Sequence, residues 1–325
     1  DHPAGEPVKV IATDNAEFWL QGSAIFPEQP KGFTQLQLNT SEQTKGPEAG
    51  VLSALWVDLY RQQQTTLLTE ASIAGMNASV SPSFGIQMTF SGFTDKQPEL
   101  IKRSLEALRI EPSEEEFIQA VDRFTRGLEN SRFGFPVRQL FPAIRRLTQT
   151  GAFNQEDLLQ AANAATLEAL SGHIEQQLST AYVRGYRFGN YSEEDVQSLA
   201  DLIARVLPNR SGDTYTRAAT YAPQPGSTLV YQENLPVEDL GMAYLFAAPK
   251  ASIENVAKGE LLAAHLSNRA FNQLRTEEQL GYAAGGFATQ LGDHPMVGFY
   301  IQTPVKAPIA MLERFDDYRA EFASD

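Results

Sequence analysis

The stretch GYAAGGFATQLGDHPMVGFYIQT, residues 281–303, sets the topology of everything around it. Two extended runs, 281–290 and 296–303, flank Gly292-Asp293-His294-Pro295, a cluster that reads as a turn. A turn this short joins antiparallel neighbours, whereas parallel strands need a crossover of about a dozen residues or more. The stretch therefore argues against a doubly wound parallel sheet.

Working outward, residues 241–248 read as a strand, 252–276 as a long apolar helix and 304–322 as a second helix. The same order occurs earlier. The alternation Phe33-Thr34-Gln35-Leu36-Gln37-Leu38 predicts a strand. After the break at Gly46-Pro47, residues 49–71 carry Val51, Leu52, Leu55, Leu59 and Tyr60 at helical spacing. Two extended runs follow around Ser81-Pro82-Ser83, the second being Ile86-Gln87-Met88-Thr89-Phe90. Thr94-Asp95-Lys96-Gln97-Pro98 reads as a helix start with Pro in the first turn, ahead of Leu100, Ile101, Leu105 and Leu108. Strand, long helix, hairpin, helix thus occurs twice, with slight identity between the copies. The predicted fold is α+β: tandem two-layer domains, each a mainly antiparallel sheet with helices on one face, the second copy incomplete.

Between the copies, Ser113 and Glu116 form a capping box ahead of Phe117, Val121, Phe124 and Leu128. Residues 136–149 and 155–178 read helical. Tyr182, Arg184, Tyr186 and Phe188 alternate as a strand, and Ser192 opens a helix with Val196, Leu199, Leu202, Ile203 and Val206. The N-terminal stretch to about Thr13 shows no usable period. Residues 208–227 are polar and rich in Pro, Gly, Ser and Thr, and read as a linker. The expected organisation is a first domain over 1–207, a linker over 208–227 and part of a second domain over 228–325.

The chain has 325 residues, 42% of them hydrophobic, which suits two globular domains. A net charge of −14 argues against non-specific nucleic-acid binding, which needs clustered Lys and Arg. No window approaches the length of a membrane span; the longest apolar run is 242–248. The absence of cysteine excludes disulfides, thiolate metal sites and cysteine nucleophiles. The chain opens on Asp1-His2-Pro3 and stops at Asp325 inside a helical pattern, so an excerpt of a longer protein is expected.

The four histidines, His2, His173, His265 and His294, form no local ligand set. Glu260 and His265 are five apart, on different faces of a helix; His265 reads as a helix-surface or interface residue and His294 as a solvated turn residue. No G-x-S-x-G or phosphate loop is present, and Gly281, Gly285 and Gly286 miss the dinucleotide-binding spacing. Paired glycines in a strand point instead to a bulge or a close backbone approach. That leaves Phe271-Asn272-Gln273-Leu274-Arg275-Thr276-Glu277-Glu278-Gln279-Leu280-Gly281-Tyr282. Arg275 falls in the last turn of the long helix, where the helix dipole favours a cation in any case. Tyr282 starts the strand, where half-buried packing with the hydroxyl at the rim is common. Chemically, the guanidinium offers a fork of donors for a carbonyl and the phenol one donor for an oxyanion. The pair supplies neither nucleophile nor base, so it is half a site.

This twelve-residue stretch resembles the C-terminal-half motif of the insulinase/pitrilysin family of zinc metallopeptidases. Asp95-Lys96-Gln97-Pro98 with its helix, the helix bearing Arg126, Leu128 and Asn130, and Ile301-Gln302 resemble the same family. The resemblance implies two homologous halves of two α+β domains each, closing as a clamshell around a peptide chamber. Zinc, held through an H-x-x-E-H motif and a further Glu, and the general base would lie on the N-terminal half, the partner of this chain, with peptides as substrates. This half would carry no metal. Arg275 and Tyr282 would be catalytic, with Arg275, Tyr282 and Gly281 binding substrate. The chain would then be the third domain and part of the fourth, inactive alone, and the bacterial members imply a periplasmic location, with the cytoplasm as the alternative. The competing readings are a non-catalytic structural or partner subunit of the same family and a peptide-binding module. Metal analysis of the purified chain is expected to show no stoichiometric zinc; tight one-to-one zinc with defined histidine ligation would refute this.

Overall fold

The computed structural model describes residues 5–26, 28–208, 214–221, 223–248, 252–291, 294–304 and 307–324. His2, Gly292, Asp293 and residues 209–213 and 222 of the expected linker lie outside the described residues. Two compact units emerge: residues 1–126 with 153–217, and residues 127–152 with 218–325.

The first unit is built on a six-stranded sheet. In chain order it comprises β1 (Val8–Ala12), β2 (Ala16–Gln21), β3 (Lys31–Asn39), α1 (Pro47–Gln63), α2 (Thr65–Ile73), β4 (Asn77–Ser83), β5 (Gly85–Phe93), α3 (Gln97–Glu106) and most of α4 (Glu114–Ser131). After α5 (Pro136–Thr148), which belongs to the second unit, follow α6 (Gln155–Ala164), α7 (Leu167–Thr180), β6 (Tyr182–Gly189) and α8 (Glu193–Val206). The strand order is β1-β2-β6-β3-β5-β4. Every pairing is antiparallel except β2 with β6. Leu36 and Leu38 of β3 and Ile86, Met88 and Phe90 of β5 are buried, and they join Val51, Leu55, Trp56, Leu59 and Tyr60 of α1 in one core. At roughly 1.5–3 kcal/mol per buried large apolar side chain, this face is the main source of stability. Trp56 and Tyr60 also donate to the carbonyls of Leu108 and Ser104, at 2.8 and 3.1 Å.

Ser113 and Glu116 form the expected capping box, with Ser113 N–H donating to Glu116 Oε2 at 2.7 Å. Ser192 and Asp195 make another at α8. The helix expected over 155–178 is two helices, because Thr166 takes an extended conformation and caps α7 by accepting from Ala169 N–H at 3.1 Å. The aperiodic N-terminal stretch contains β1 and leads into β2, whose Phe18 and Leu20 are buried. In β6 the side chains that alternate in the sequence face away from the core. Val183, Gly185, Arg187 and Gly189 are the buried set. Gly185 is needed because a Cβ there would collide with the Phe18 ring.

The second unit repeats the core of the first. It comprises β7 (Leu240–Ala247), α9 (Ile253–Ala270), β8 (Ala283–Leu291), β9 (His294–Thr303) and α10 (Pro308–Ser324). Its strand order β7-β9-β8 matches β3-β5-β4, and all pairings are antiparallel. α9 lies close on β8: a Cβ on Gly286 would stand 2.6 Å from Leu266 Cβ. Phe299 sits among Tyr244, Phe315 and Tyr318 at centroid distances of 5.8, 4.7 and 5.5 Å. α5 belongs to this unit and sets Phe141 against Phe287 at 5.1 Å.

His173 shows what burial does to a titratable group. Its Nε2 stands 2.9 Å from both Ser53 Oγ and the Gln177 amide nitrogen, a donor, so Nε2 is the unprotonated atom. Burial lowers its pKa to about 4, despite the opposing field of Glu42. The folded pKa is depressed, so neutral His173 costs the first unit nothing above about pH 6.5, and its protonation destabilises the unit as pH falls towards 4, by an amount on the order of 3 kcal/mol. In urea titrations, His173→Gln is expected to flatten the fall in midpoint between pH 7 and 4.5. Equal falls in variant and wild type would contradict this.

Candidate functional site

The motif over residues 271–282 is folded by three local devices. First, α9 does not end as an α-helix. Residues Phe271–Glu277 form a π-helical turn, and Glu278 N–H bonds to Gln273 O five residues back at 2.9 Å. Second, Gln279 takes φ 52°, the one non-glycine residue with positive φ among the described residues. That left-handed residue reverses the chain and lets Leu280 N–H reach Leu274 O at 2.9 Å, while both leucine side chains bury in the same core. The arrangement is a wider-turned relative of the glycine-based helix C-cap. Third, a Cβ on Gly281 would collide with the carbonyl of Gln302 and stand 3.1 Å from Ile301 Cγ1. Gly281 is there for close approach, bringing the head of β8 against β9.

Charge fastens the turn. Arg314 of α10 holds Glu278 in a bidentate pair at 2.5 and 2.8 Å and reaches Glu321 at 3.2 Å. These carboxylates, Glu278 first, raise the guanidinium pKa further, against partial burial. Gln273 adds a 2.7 Å bond to Glu321.

Arg275 stands exposed on the π-helical turn with its guanidinium 4.6 Å from the centre of the Phe271 ring. Tyr282 stands at the head of β8, 46% exposed. No described contact joins the two side chains. Tyr282 is tied instead to residues that the motif does not contain. Its hydroxyl donates to Asp239 Oδ2, and its oxygen accepts from Gln302 Nε2. Gln302 also donates to Asp239 at 2.8 Å and accepts from Val137 N–H at 3.3 Å. Asp239 precedes β7 and Gln302 is the penultimate residue of β9, whose last residue pairs with the first of β7, so the sheet gathers them. Asp239 carries no signal in the sequence, and Gln302 carries one only as part of Ile301-Gln302.

Among the described residues, no group of three or more His, Asp or Glu is placed to hold a metal. His173 and Ser53 form a hydrogen-bonded pair, but both are buried, which makes them a packing feature. His265 is exposed on α9, 5.4 Å from the Phe322 ring. His294 is half-buried in β9, not solvated in a turn, because the strand begins at His294 itself. What the stretch offers chemically is an exposed guanidinium on the helical turn and, at the head of β8, a phenol hydrogen-bonded to a carboxylate.

Residues 1–161 match the family model for the middle or third domain of peptidase M16, and residues 261–325 match that for the C-terminal lobe domain 4 of PqqF-like proteins. The chain is 24% identical over 299 residues to Protease 3 of Salmonella typhi, covering 91% of this chain and 31% of that protein. It is also 24% identical over 240 residues to human insulin-degrading enzyme, covering 71% of this chain and 24% of that enzyme. The fold superposes on a crystal structure of pitrilysin with a TM-score of 0.89 at 23% identity, covering the whole of this chain and 34% of that one. On a peptidase M16 inactive domain from Pseudomonas fluorescens the TM-score is 0.68 at 14% identity, covering 98% and 80%. The α+β sheet-and-helix units and these matches define a peptidase M16-type chain. The chain belongs to the insulinase/pitrilysin family, within its C-terminal half. It spans under a third of the length of Protease 3.

Gly281→Ala is expected to lower the stability of the second unit by about 1–3 kcal/mol, and Gln279→Gly to raise it by up to about 1 kcal/mol. Denaturant midpoints check both. An unchanged Gly281→Ala midpoint would contradict the close approach.

Proposed function

We propose that this chain is the zinc-free side of a zinc metalloendopeptidase. Its partner is the zinc-bearing N-terminal half of the same protein, and the two close as a clamshell around a peptide. The carrying observation is the fold of residues 271–282. A π-helical turn, a left-handed Gln279 and a close-packed Gly281 set Arg275 and Tyr282 exposed at one end of a sheet. A left-handed non-glycine residue inside the motif marks this turn as a candidate functional segment. Arg275 holds the substrate backbone through its fork of donors, and Gly281 keeps the strand head where the peptide passes. Tyr282 donates to the oxyanion of the tetrahedral intermediate. Zinc and the general base belong to the other half, where the metal activates water. The names of Protease 3 and insulin-degrading enzyme support a peptidase parent, and a periplasmic location follows the bacterial relatives, with the cytoplasm as the alternative.

A second reading, a non-catalytic partner subunit, is favoured by the likeness to a domain described as inactive. The parent gene upstream of Asp1 separates the two. An H-x-x-E-H in a preceding domain supports the peptidase; a degenerate motif with no zinc-bearing partner sinks it.

In the full-length enzyme, Tyr282→Phe is expected to lower kcat on the order of 100-fold, a barrier cost of about 3 kcal/mol, with a smaller change in KM. Arg275→Ala is expected to raise KM more than it lowers kcat. An unchanged kcat in Tyr282→Phe would reduce Tyr282 to a packing residue.

A further inference from the structure

Tyr282 has a single hydroxyl proton, and it points to Asp239 Oδ2. The phenol oxygen accepts from Gln302 Nε2, and the same nitrogen donates to Asp239 at 2.8 Å. Gln302 is fully buried, and its Oε1 accepts from Val137 N–H in the first turn of α5 at 3.3 Å. That sets the orientation of the amide. Turned over, it would put an oxygen against the Asp239 carboxylate and an amino group against the Val137 N–H. A rigid amide anchored on a helix N-terminus therefore clamps carboxylate and phenol together.

A phenol whose proton lies on a carboxylate has none left for a peptide carbonyl. We propose that Asp239 is a catch for the Tyr282 proton, set in place by Gln302, which the reacting peptide must displace. This rests on Tyr282 being the oxyanion donor. A hydrogen bond to a charged acceptor is about twice as strong as one to a neutral acceptor. A ground-state carbonyl is neutral and loses the competition with Asp239. The oxyanion carries charge and wins back the proton donor as it develops. The phenol keeps its proton throughout and only changes acceptor. The interaction is then made in the transition state and not in the ground state, which is the condition for raising kcat. Asp239 and Gln302 are positioning residues, acting through Tyr282.

Asp239→Asn tests this because it keeps the shape and an acceptor oxygen while removing the charge. In the full-length enzyme with a peptide substrate, kcat/KM is expected to rise about fivefold, chiefly through a lower KM. The rise is expected to disappear in the Tyr282→Phe background. A fall, no change, or an equal change in both backgrounds overturns the catch. None of those outcomes touches the role of Tyr282, which Tyr282→Phe alone decides. A readout free of activity is the 13Cζ resonance of Tyr282 in the 325-residue chain, assigned by its loss in Tyr282→Phe. It is expected to move in Asp239→Asn, and an unmoved resonance overturns the proposal.

Discussion

The candidate site depends on one backbone contact. At Gly281 the chain passes so close to the carbonyl of Gln302 that no side chain fits between them. This contact draws the end of the π-helical turn onto β9 and so brings Tyr282 within reach of Gln302 and Asp239. The strain upstream serves the same end, since Gln279 accepts a left-handed conformation that an L-residue disfavours by roughly 1–2 kcal/mol. The buried pair Leu274 and Leu280 and the Arg314–Glu278 bridge hold the turn against that cost.

The two units reuse one design. β3-β5-β4 and β7-β9-β8 share their order, and each is crossed by a long helix that enters after the first strand. The design was legible because each element obeys its own period and the hairpin turns are too short for crossovers. Capping boxes at Ser113 and Ser192 were legible for the same local reason. What was not legible depended on distant partners. Pro136–Thr148 has a helical pattern, but nothing in it says that it joins the unit built around β7–β9. The face of β6 was hidden because its buried positions include two glycines and an arginine, with Arg187 satisfied by Thr34, Asp195 O and the Tyr191 ring.

Arg275 and Tyr282 stand out because their residue types suit a carbonyl and an oxyanion and sit in one short stretch, and Gly281 joins them only through the family resemblance of that stretch. Asp239 carries no such signal, and Gln302 carries one only through Ile301-Gln302. They lie 43 and 20 residues from Tyr282 and meet it only through sheet register. A functional group held by cross-strand pairing leaves no spacing to read. Arg275 and Tyr282 themselves supply neither nucleophile nor base, and we propose that a second half supplies them.

The most direct measurement is a structure of the full-length protein with a peptide held in an inactivated zinc site. Tyr282 Oη is expected within hydrogen-bond distance of the scissile carbonyl oxygen, with Arg275 on the peptide backbone. A peptide bound at the zinc with Tyr282 still on Asp239, and with Tyr282 and Arg275 both remote from the peptide, would rule out a site shared between the two halves.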